Sequence, residues 1–431
     1  MDEQLKNTCN KLVPFIGKGH AQALWLAYIT SETMQAKAEA QTFIELFWLR
    51  FAGPSVDNNT IYLPADDSFS HGSIPFGTVH YGNRPMGELR LQPEDINKHI
   101  GLFSITGGGK TNACKLMLST LAHSCPFLVI DWKRSYRDLA YIAKANIRIV
   151  SIGQEGHQNL EWNPLQPPPG TGYQAWMYIV AELLEKSHLS GPGTADILIE
   201  VFDRLFTKNG WATPNQKIKR LPTFQQALFE VQSGQFTGRR MLWRDTCVRI
   251  LRTFTLGASA KTFNTMAHAS LEKLLGQPTI LEIDYELPKP IRVFISELIL
   301  RWVHLYRLRQ GESKKLRHVL VFEEAHNMMP SQRNDTQMHS LETLLREIRG
   351  FGQGLVLISQ HPSLLPTYVL GNTNTLVFLG LQHEDDIRAA AKALFLSKED
   401  MHYLDKLKVG EALVKIKSRG GPYFVRFPEV A

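Results

Sequence analysis

The sequence predicts an α/β fold with a mainly parallel sheet, a helical insertion and a small N-terminal module. Short continuous apolar runs, such as "PFLVID" and "HVLVF", alternate with helical stretches from residue 100 onward. That pattern marks parallel strands covered on both faces. Between residues 167 and 275 the strand signal stops and long amphipathic segments follow one another. Ahead of both, "QALWLAYITSETMQAKAEAQTFIELFWLRF" repeats its apolar positions at three and four, the period of a helix.

The elements follow in order. Residues 1–65 form the helical N-terminal module, closed by the Gly, Pro and Asn of "AGPSVDNNT". Residues 66–99 read as a short β segment leading into the core, with "GSIPFGTVHYG" and "GELRLQ" as its pieces. The front section as a whole reads as a separate module or an oligomer contact. The core occupies residues 100–166 and 276–431, split by the helical insertion 167–275. Its strands are "HIGLFSI", "PFLVID", "IRIVSI", "PTILEID", "RHVLVF", "GLVLIS" and "TLVFLG". Helices are predicted over "KTNACKLMLSTLAHS", 290–309, 336–349 and "EDDIRAAAKAL". "GEALVKI" and "PYFVRF" close the chain as an antiparallel pair.

Composition narrows the class. With 43% hydrophobic and 21% charged residues, the chain of 431 can bury a large core without disulfides. Cys9, Cys114, Cys125 and Cys247 lack metal-type spacing and read as reduced thiols. The N-terminal residues lack a basic stretch followed by an apolar one, so no signal peptide is expected. The best apolar run, "VFISELILRWVHLY", is broken by Glu297, Arg301 and His304, which argues against direct membrane insertion. The expected location is cytoplasmic. A net charge of +7 suits a polyanionic partner.

The chemistry concentrates in a few stretches. "SITGGGKT", residues 104–111, follows a strand and opens a helix, the context of a phosphate-binding loop. Thr106, Gly107, Gly108, Gly109, Lys110, Thr111 and Asn112 are its candidate nucleotide contacts. The glycines leave room for phosphate and tolerate positive φ. Lys110 would reach the β- and γ-phosphates of ATP, and Thr111 would bind Mg²⁺. Ser104 stands where the usual pattern has glycine. "HVLVFEEAH" ends a strand in Glu323 and Glu324, a Walker B arrangement. Glu323 would hold Mg²⁺ partly through water, with Thr111, and Glu324 would polarise the attacking water. Glu323 replaces the usual aspartate. "GLVLISQHP" places Gln360 at a strand end, where it can meet the γ-phosphate or the water. His326 and His361 receive no catalytic role. Arg346 and Arg349 fall at i and i+3 near a helix end, candidates for the arginine that a neighbouring subunit supplies to the γ-phosphate. Arg388 is a further candidate.

Together these stretches resemble the HerA–FtsK superfamily of P-loop motor ATPases, and most of all HerA-like proteins and the related conjugation and type IV secretion ATPases. The pieces that carry the resemblance occur in the family's order: "KHIGLFSITGGGKTN", "FLVIDWKRSYRDL", "LEWNPLQPPPG", "HVLVFEEAHNMMP", "LLREIRGFGQGLVLISQHPSLLP" and "TNTLVFLGLQHEDDI". The resemblance implies a RecA-like P-loop NTPase core and a homo-oligomeric, hexameric ring that moves double-stranded DNA through its pore. It implies work with a nuclease or other effector in DNA processing or antiphage defence. It leaves open a non-motor scaffold that gates an effector, and a conjugation or type IV secretion ATPase. It makes Lys110 and Thr111 the phosphate and Mg²⁺ ligands, Glu323 and Glu324 the Walker B pair, and Gln360 the γ-phosphate sensor. One of Arg349 and Arg346 becomes the trans finger, with Arg349 the better fit. Asp131 sits where these proteins often carry D-x-K. Lys133, Arg134 and Arg137 in "DWKRSYRD" are candidate pore contacts to DNA. HerA proteins carry an N-terminal β-barrel where this chain reads as helical.

Overall fold

The computed structural model describes all residues except 1, 53–60, 64, 155–158, 192, 213–218, 267–270, 329–343 and 431. Its strands are β1 (Ile74–Tyr81), β2 (Arg84–Leu91), β3 (Ile100–Phe103), β4 (Phe127–Asp131), β5 (Arg148–Ile152) and β6 (Thr279–Ile283). They continue with β7 (Ser313–Phe322), β8 (Phe351–Ser359), β9 (Thr375–Leu379), β10 (Glu411–Ile416) and β11 (Tyr423–Arg426). All join one sheet in the order β2-β1-β11-β10-β9-β3-β8-β7-β4-β6-β5. From β9 to β5 every pairing is parallel. The β10–β11 pair is antiparallel, as its sequence predicts. The β1–β2 hairpin extends the same sheet, because β1 pairs with β11. Residues 66–99 therefore enter the sheet itself as well as leading towards β3.

The central strands are buried along their whole length: β3, β4, β6 and β9 expose nothing. Their side chains alternate between two cores. Leu128, Ile130, Leu320, Phe322, Leu355 and Leu357 face one; Phe127, Val129, Val319, Val321, Val356 and Ile358 face the other. This period of two is the geometry of a strand with both faces covered. The first core is capped by α7 (Tyr173–Ser187), α8 (Thr194–Lys208) and α13 (Lys289–Gln310). The second is capped by α5 (Lys110–Leu121) and α6 (Leu139–Ala143). Between β5 and β6 the chain adds α7, α8, α9 (Phe224–Ser233), α10 (Arg240–Thr253), α11 (Gly257–Phe263) and α12 (Glu272–Leu275), with no further strand among the described residues; α4 (Pro93–Asn97) precedes β3. The helix predicted over 336–349 is present at 344–348, and 336–343 lie outside the described residues.

The N-terminus folds as α1 (Asp2–Ile16), α2 (Lys18–Ile29) and α3 (Met34–Ala52) around Leu5, Cys9, Tyr28 and Ile44. α1 is the attachment. Asn7 Nδ2 donates to Glu399 at 3.3 Å, and Lys11 pairs with Asp400 at 3.7 Å. The Phe15 ring packs edge-on against Tyr81, with centroids 5.3 Å apart. α2 and α3 leave Leu26, Ile29, Phe43, Leu46 and Leu49 exposed. All four cysteines are buried free thiols. Among the described residues no helix is long and apolar enough to cross a membrane.

Register brings the chemistry to one edge. Phe103 on β3 lies opposite Ser359 on β8, and Ile130 on β4 lies opposite Phe322 on β7. The chain leaves β3 into the glycine loop, β7 into Glu323 and Glu324, and β8 into Gln360. The C-terminal edge of a parallel sheet is where open α/β folds place their ligands.

Candidate active site

The glycine loop lines a cavity of about 330 Å³ with Lys110, Thr111, Asn112, Lys133, Glu323, Glu324 and Gln360. Gly107 and Gly109 adopt left-handed backbone, with φ of 79° and 103°. A side chain at either would be strained. Gly109 is also the N-cap of α5, whose first residue is Lys110. Lys110 Nζ donates to the carbonyls of Ser104 and Ile105, at 2.6 and 2.8 Å. Burial pushes its ammonium down to about 8, with Lys133 acting in the same direction and Glu324 and Glu323 opposing. Ser104 needs no glycine freedom, since its φ is not positive. Its hydroxyl is buried and donates to Ile105 O at 3.1 Å. A Cβ on Gly108 would sit 1.9 Å from that hydroxyl oxygen. The serine and the middle glycine are thus complementary.

Glu323 and Glu324 have opposite environments. Glu323 is 5% exposed, and its Oε2 has no hydrogen-bond partner. Burial first, then the neighbouring Asp131, pushes its carboxyl up to about 7. An orphaned buried carboxylate oxygen fits a cation, and Thr111 lines the same cavity. Mg²⁺ commonly takes one or two protein ligands beside phosphate oxygens and water, which suits this pair. Glu324 has left-handed backbone at φ 51°, uncommon outside glycine. Burial acts to raise its carboxyl, but hydrogen bonds from Lys133 and Gln360 outweigh it and hold it below the ordinary value. Gln360 Nε2 donates to Glu324 Oε1 at 2.8 Å, and Thr106 Oγ1 donates to Gln360 Oε1 at 2.9 Å. One chain of polar contacts therefore joins the glycine loop to Glu324. His326 Nδ1 lies 3.1 Å from Ser359 Oγ and 3.6 Å from Glu324 Oε2. His361 Nδ1 lies 3.2 Å from Asp386 Oδ2.

The Asn112 amide holds the C-terminal segment: Nδ2 donates to Pro428 O and Oδ1 accepts from Val430 N, both at 2.8 Å. Arg388 pairs with Glu384 on an exposed helix face, away from the cavity. Arg346 and Arg349 are exposed just before β8 begins, whereas Gln360 follows its end. Nine strand residues at about 3.3 Å each separate them by roughly 30 Å, so neither arginine reaches its own chain's cavity. Two residues absent from the sequence reading fix their turn. His99 Nε2 donates to Leu345 O at 2.7 Å while Nδ1 accepts from Leu355 N at 3.2 Å. Asn97 Nδ2 donates to Arg349 O at 3.1 Å.

The stretch "DWKRSYRD" also lands differently from a pore contact. Lys133 pairs with Glu324, Arg134 with Asp284, and Arg137 with Glu282. All three basic side chains are engaged within the chain, at or beside the cavity. Their partners are carboxylates at the ends of neighbouring strands, and buried carboxylates demand a cation.

Residues 75–185 match the family described as "Helicase HerA, central domain", and residues 276–431 match "Helicase HerA-like C-terminal". A probable helicase of Methanocaldococcus jannaschii is 22% identical over 357 residues, covering 80% of this chain and 65% of its own length. The DNA double-strand break repair helicase HerA of Pyrococcus furiosus is 22% identical over 408 residues, covering 86% and 73%. Among solved structures, VirB4 of Thermoanaerobacter pseudethanolicus superposes with a TM-score of 0.64 at 16% identity, covering 83% of this chain and 97% of that one. The plasmid coupling protein TrwB in complex with ADP and Mg²⁺ gives 0.55 at 12%, covering 79% and 87%. With these matches falling on the sheet, the glycine loop and the Glu323–Glu324 strand, the chain belongs to the HerA–FtsK superfamily of P-loop ATPases.

Proposed function

We propose that the chain is a ring-forming motor that couples ATP hydrolysis to the movement of double-stranded DNA. The observation that carries it is the single cavity shared by Lys110, Thr111, Glu323, Glu324 and Gln360. The backbone amides of residues 107–111 and the start of α5 would surround the phosphates. Lys110 would exchange the carbonyls of Ser104 and Ile105 for phosphate oxygens. Thr111, and Glu323 partly through water, would hold Mg²⁺, which would supply neutralisation of the phosphate charge. Gln360 orients the water and Glu324 accepts its proton. The water oxygen bonds to the γ-phosphorus as the bond to the β-phosphate oxygen breaks, so ADP leaves with that electron pair. Arg349, with Arg346 beside it, would complete the site of a neighbouring copy. The DNA part rests on the HerA relatives and on the basic balance of the chain.

The test compares wild type with Lys110→Ala and Glu324→Gln. Lys110→Ala should lose nucleotide binding. Glu324→Gln should keep it and lose about 100-fold or more in hydrolysis. DNA should stimulate the wild type and should bind less tightly as salt rises. Identical hydrolysis rates with and without DNA of several forms would sink the motor reading.

A second reading draws on the exposed apolar face of α2 and α3, which bears Leu26, Phe43 and Leu46. It makes the protein a cytoplasmic ATP-binding scaffold that assembles and gates a nuclease or other effector, in DNA processing or antiphage defence. Effector activity that persists in Glu324→Gln favours it over the motor.

A further inference from the structure

The loop between β4 and α6 is pinned at almost every residue. Asp131 Oδ1 accepts from Lys133 N at 2.8 Å, and Oδ2 accepts from Tyr136 N at 3.2 Å. Trp132 Nε1 donates to Ser296 Oγ on α13 at 3.2 Å. Arg134 Nη2 reaches Asp284 at 2.7 Å, and Arg137 grips both oxygens of Glu282 at 2.6 and 2.7 Å. Asp284 and Glu282 are buried, so each guanidinium is tied to a fixed carboxylate, although the Arg137 side chain is itself half exposed. The Lys133 side chain differs in that its partner lies in the cavity. It is half exposed, enters the cavity and donates to Glu324 Oε1.

That contact sits where it matters for chemistry. Glu324 Oε1 already accepts from Gln360, so Lys133 is its second donor. Two donors on Oε1, one of them an ammonium, fix the carboxylate's orientation and draw off its charge, leaving Oε2, 3.6 Å from His326 Nδ1, a weaker acceptor for a water's proton. Lysine is a compact charge on a flexible stem, here on a backbone whose amide is held by Asp131 Oδ1. A terminal phosphate seated on Lys110 would lie in the same cavity and carries more negative charge than a carboxylate. It would compete for the ammonium. A diphosphate ends one group short and would leave Lys133 where it is.

Resting on the nucleotide-site reading above, we propose that Lys133 is a γ-phosphate sensor: it holds Glu324 until a triphosphate binds, then transfers to the terminal phosphate and releases the carboxylate for the attacking water. Lys133 thereby ties the readiness of the base to the identity of the nucleotide. Its partner change is a differential contact, made with ATP and absent with ADP, which is what a ligand-driven switch requires.

The experiment measures ADP and ADPNP affinity with Mg²⁺ for the full chain, as wild type, Lys133→Met, Lys133→Arg and Glu324→Gln. Lys133→Met should bind ADP within about twofold of wild type and lose about tenfold on ADPNP, the worth of one charge-assisted hydrogen bond. Lys133→Arg should recover part of that loss. In the Lys133→Met/Glu324→Gln double variant the two effects on ADPNP should be non-additive, since the residues exchange one contact. Equal losses on both nucleotides would make Lys133 structural and overturn the inference. So would an unchanged ADPNP-to-ADP ratio, or strict additivity. A wild type that binds neither nucleotide would overturn the reading of the whole site, a failure distinct from the others.

Discussion

At the scale of single residues, Gly108 is constrained by what stands four positions before it. The space its Cβ would take holds the Ser104 hydroxyl, 1.9 Å away. Gly108→Ala should therefore destabilise the loop by about 1–3 kcal/mol, the usual cost of overpacking. The same change in a Ser104→Gly background should cost distinctly less, as read from denaturant midpoints and ADP affinity. Equal costs in both backgrounds would show that the serine simply rotates away. The sequence shows Ser104 only as a missing glycine; the structure shows it as one half of a packed pair. Lys133 was harder to read. Its basic neighbours suggest a polyanion groove, because their carboxylate partners at 282, 284 and 324 lie 145 to 191 residues along the chain. Local spacing cannot reveal a pairing across an insertion. The D-x-K spacing from Asp131 was the one available signal.

At the scale of elements, the arginine-bearing turn before β8 is held by the residues that enter β3. His99 donates through Nε2 to Leu345 O and accepts through Nδ1 from Leu355 N, which requires the neutral ring. Burial first, opposed by the Leu345 bond and helped by Arg349, pushes its pKa down to about 4. The sign follows. Between the unfolded value near 6.5 and this folded value, the unfolded chain binds a proton that the native chain does not. Stability is fully present above about pH 6.5 and falls as pH drops towards 4, by roughly 3 kcal/mol across the window. His99→Asn suits the positive φ of 73° at this position and lacks the titration. It should start less stable at pH 7 and show a flatter loss between pH 7 and 5 in chemical denaturation. A slope matching wild type would remove His99 as the cause. The strand itself was legible from "HIGLFSI"; the histidine's task was not, because both of its partners are backbone groups about 250 residues away.

At the scale of the whole molecule, the parallel core was legible because its strands are buried on both faces and so read as unbroken apolar runs. The sheet's antiparallel wing was less so. The β1–β2 hairpin carries exposed Arg84 and Glu88 and gives no clue that β1 meets β11, far along the chain. The residues that line the candidate site's cavity were legible as motifs, because they sit at strand ends; the contacts that cross between strands were not. For the arginines, the expectation is an intersubunit effect. Arg349→Ala should retain ADPNP binding and lose about 1000-fold in hydrolysis. Mixing it with Lys110→Ala subunits, each inactive alone, should restore part of the activity; no recovery would argue that Arg349 acts within its own subunit or not at all. The position of β8 gives this arrangement a direction. The strand starts just after Arg349 and ends just before Gln360, and it pairs with β7 between Phe351 and Leu357 and with β3 over Val356–Ser359. In a closed ring, each subunit would sense its own nucleotide at one tip of this rod and complete its neighbour's at the other. A sub-ångström shift at the Gln360 end would be felt at the next site and not at the previous one, so firing order would run one way around the circle.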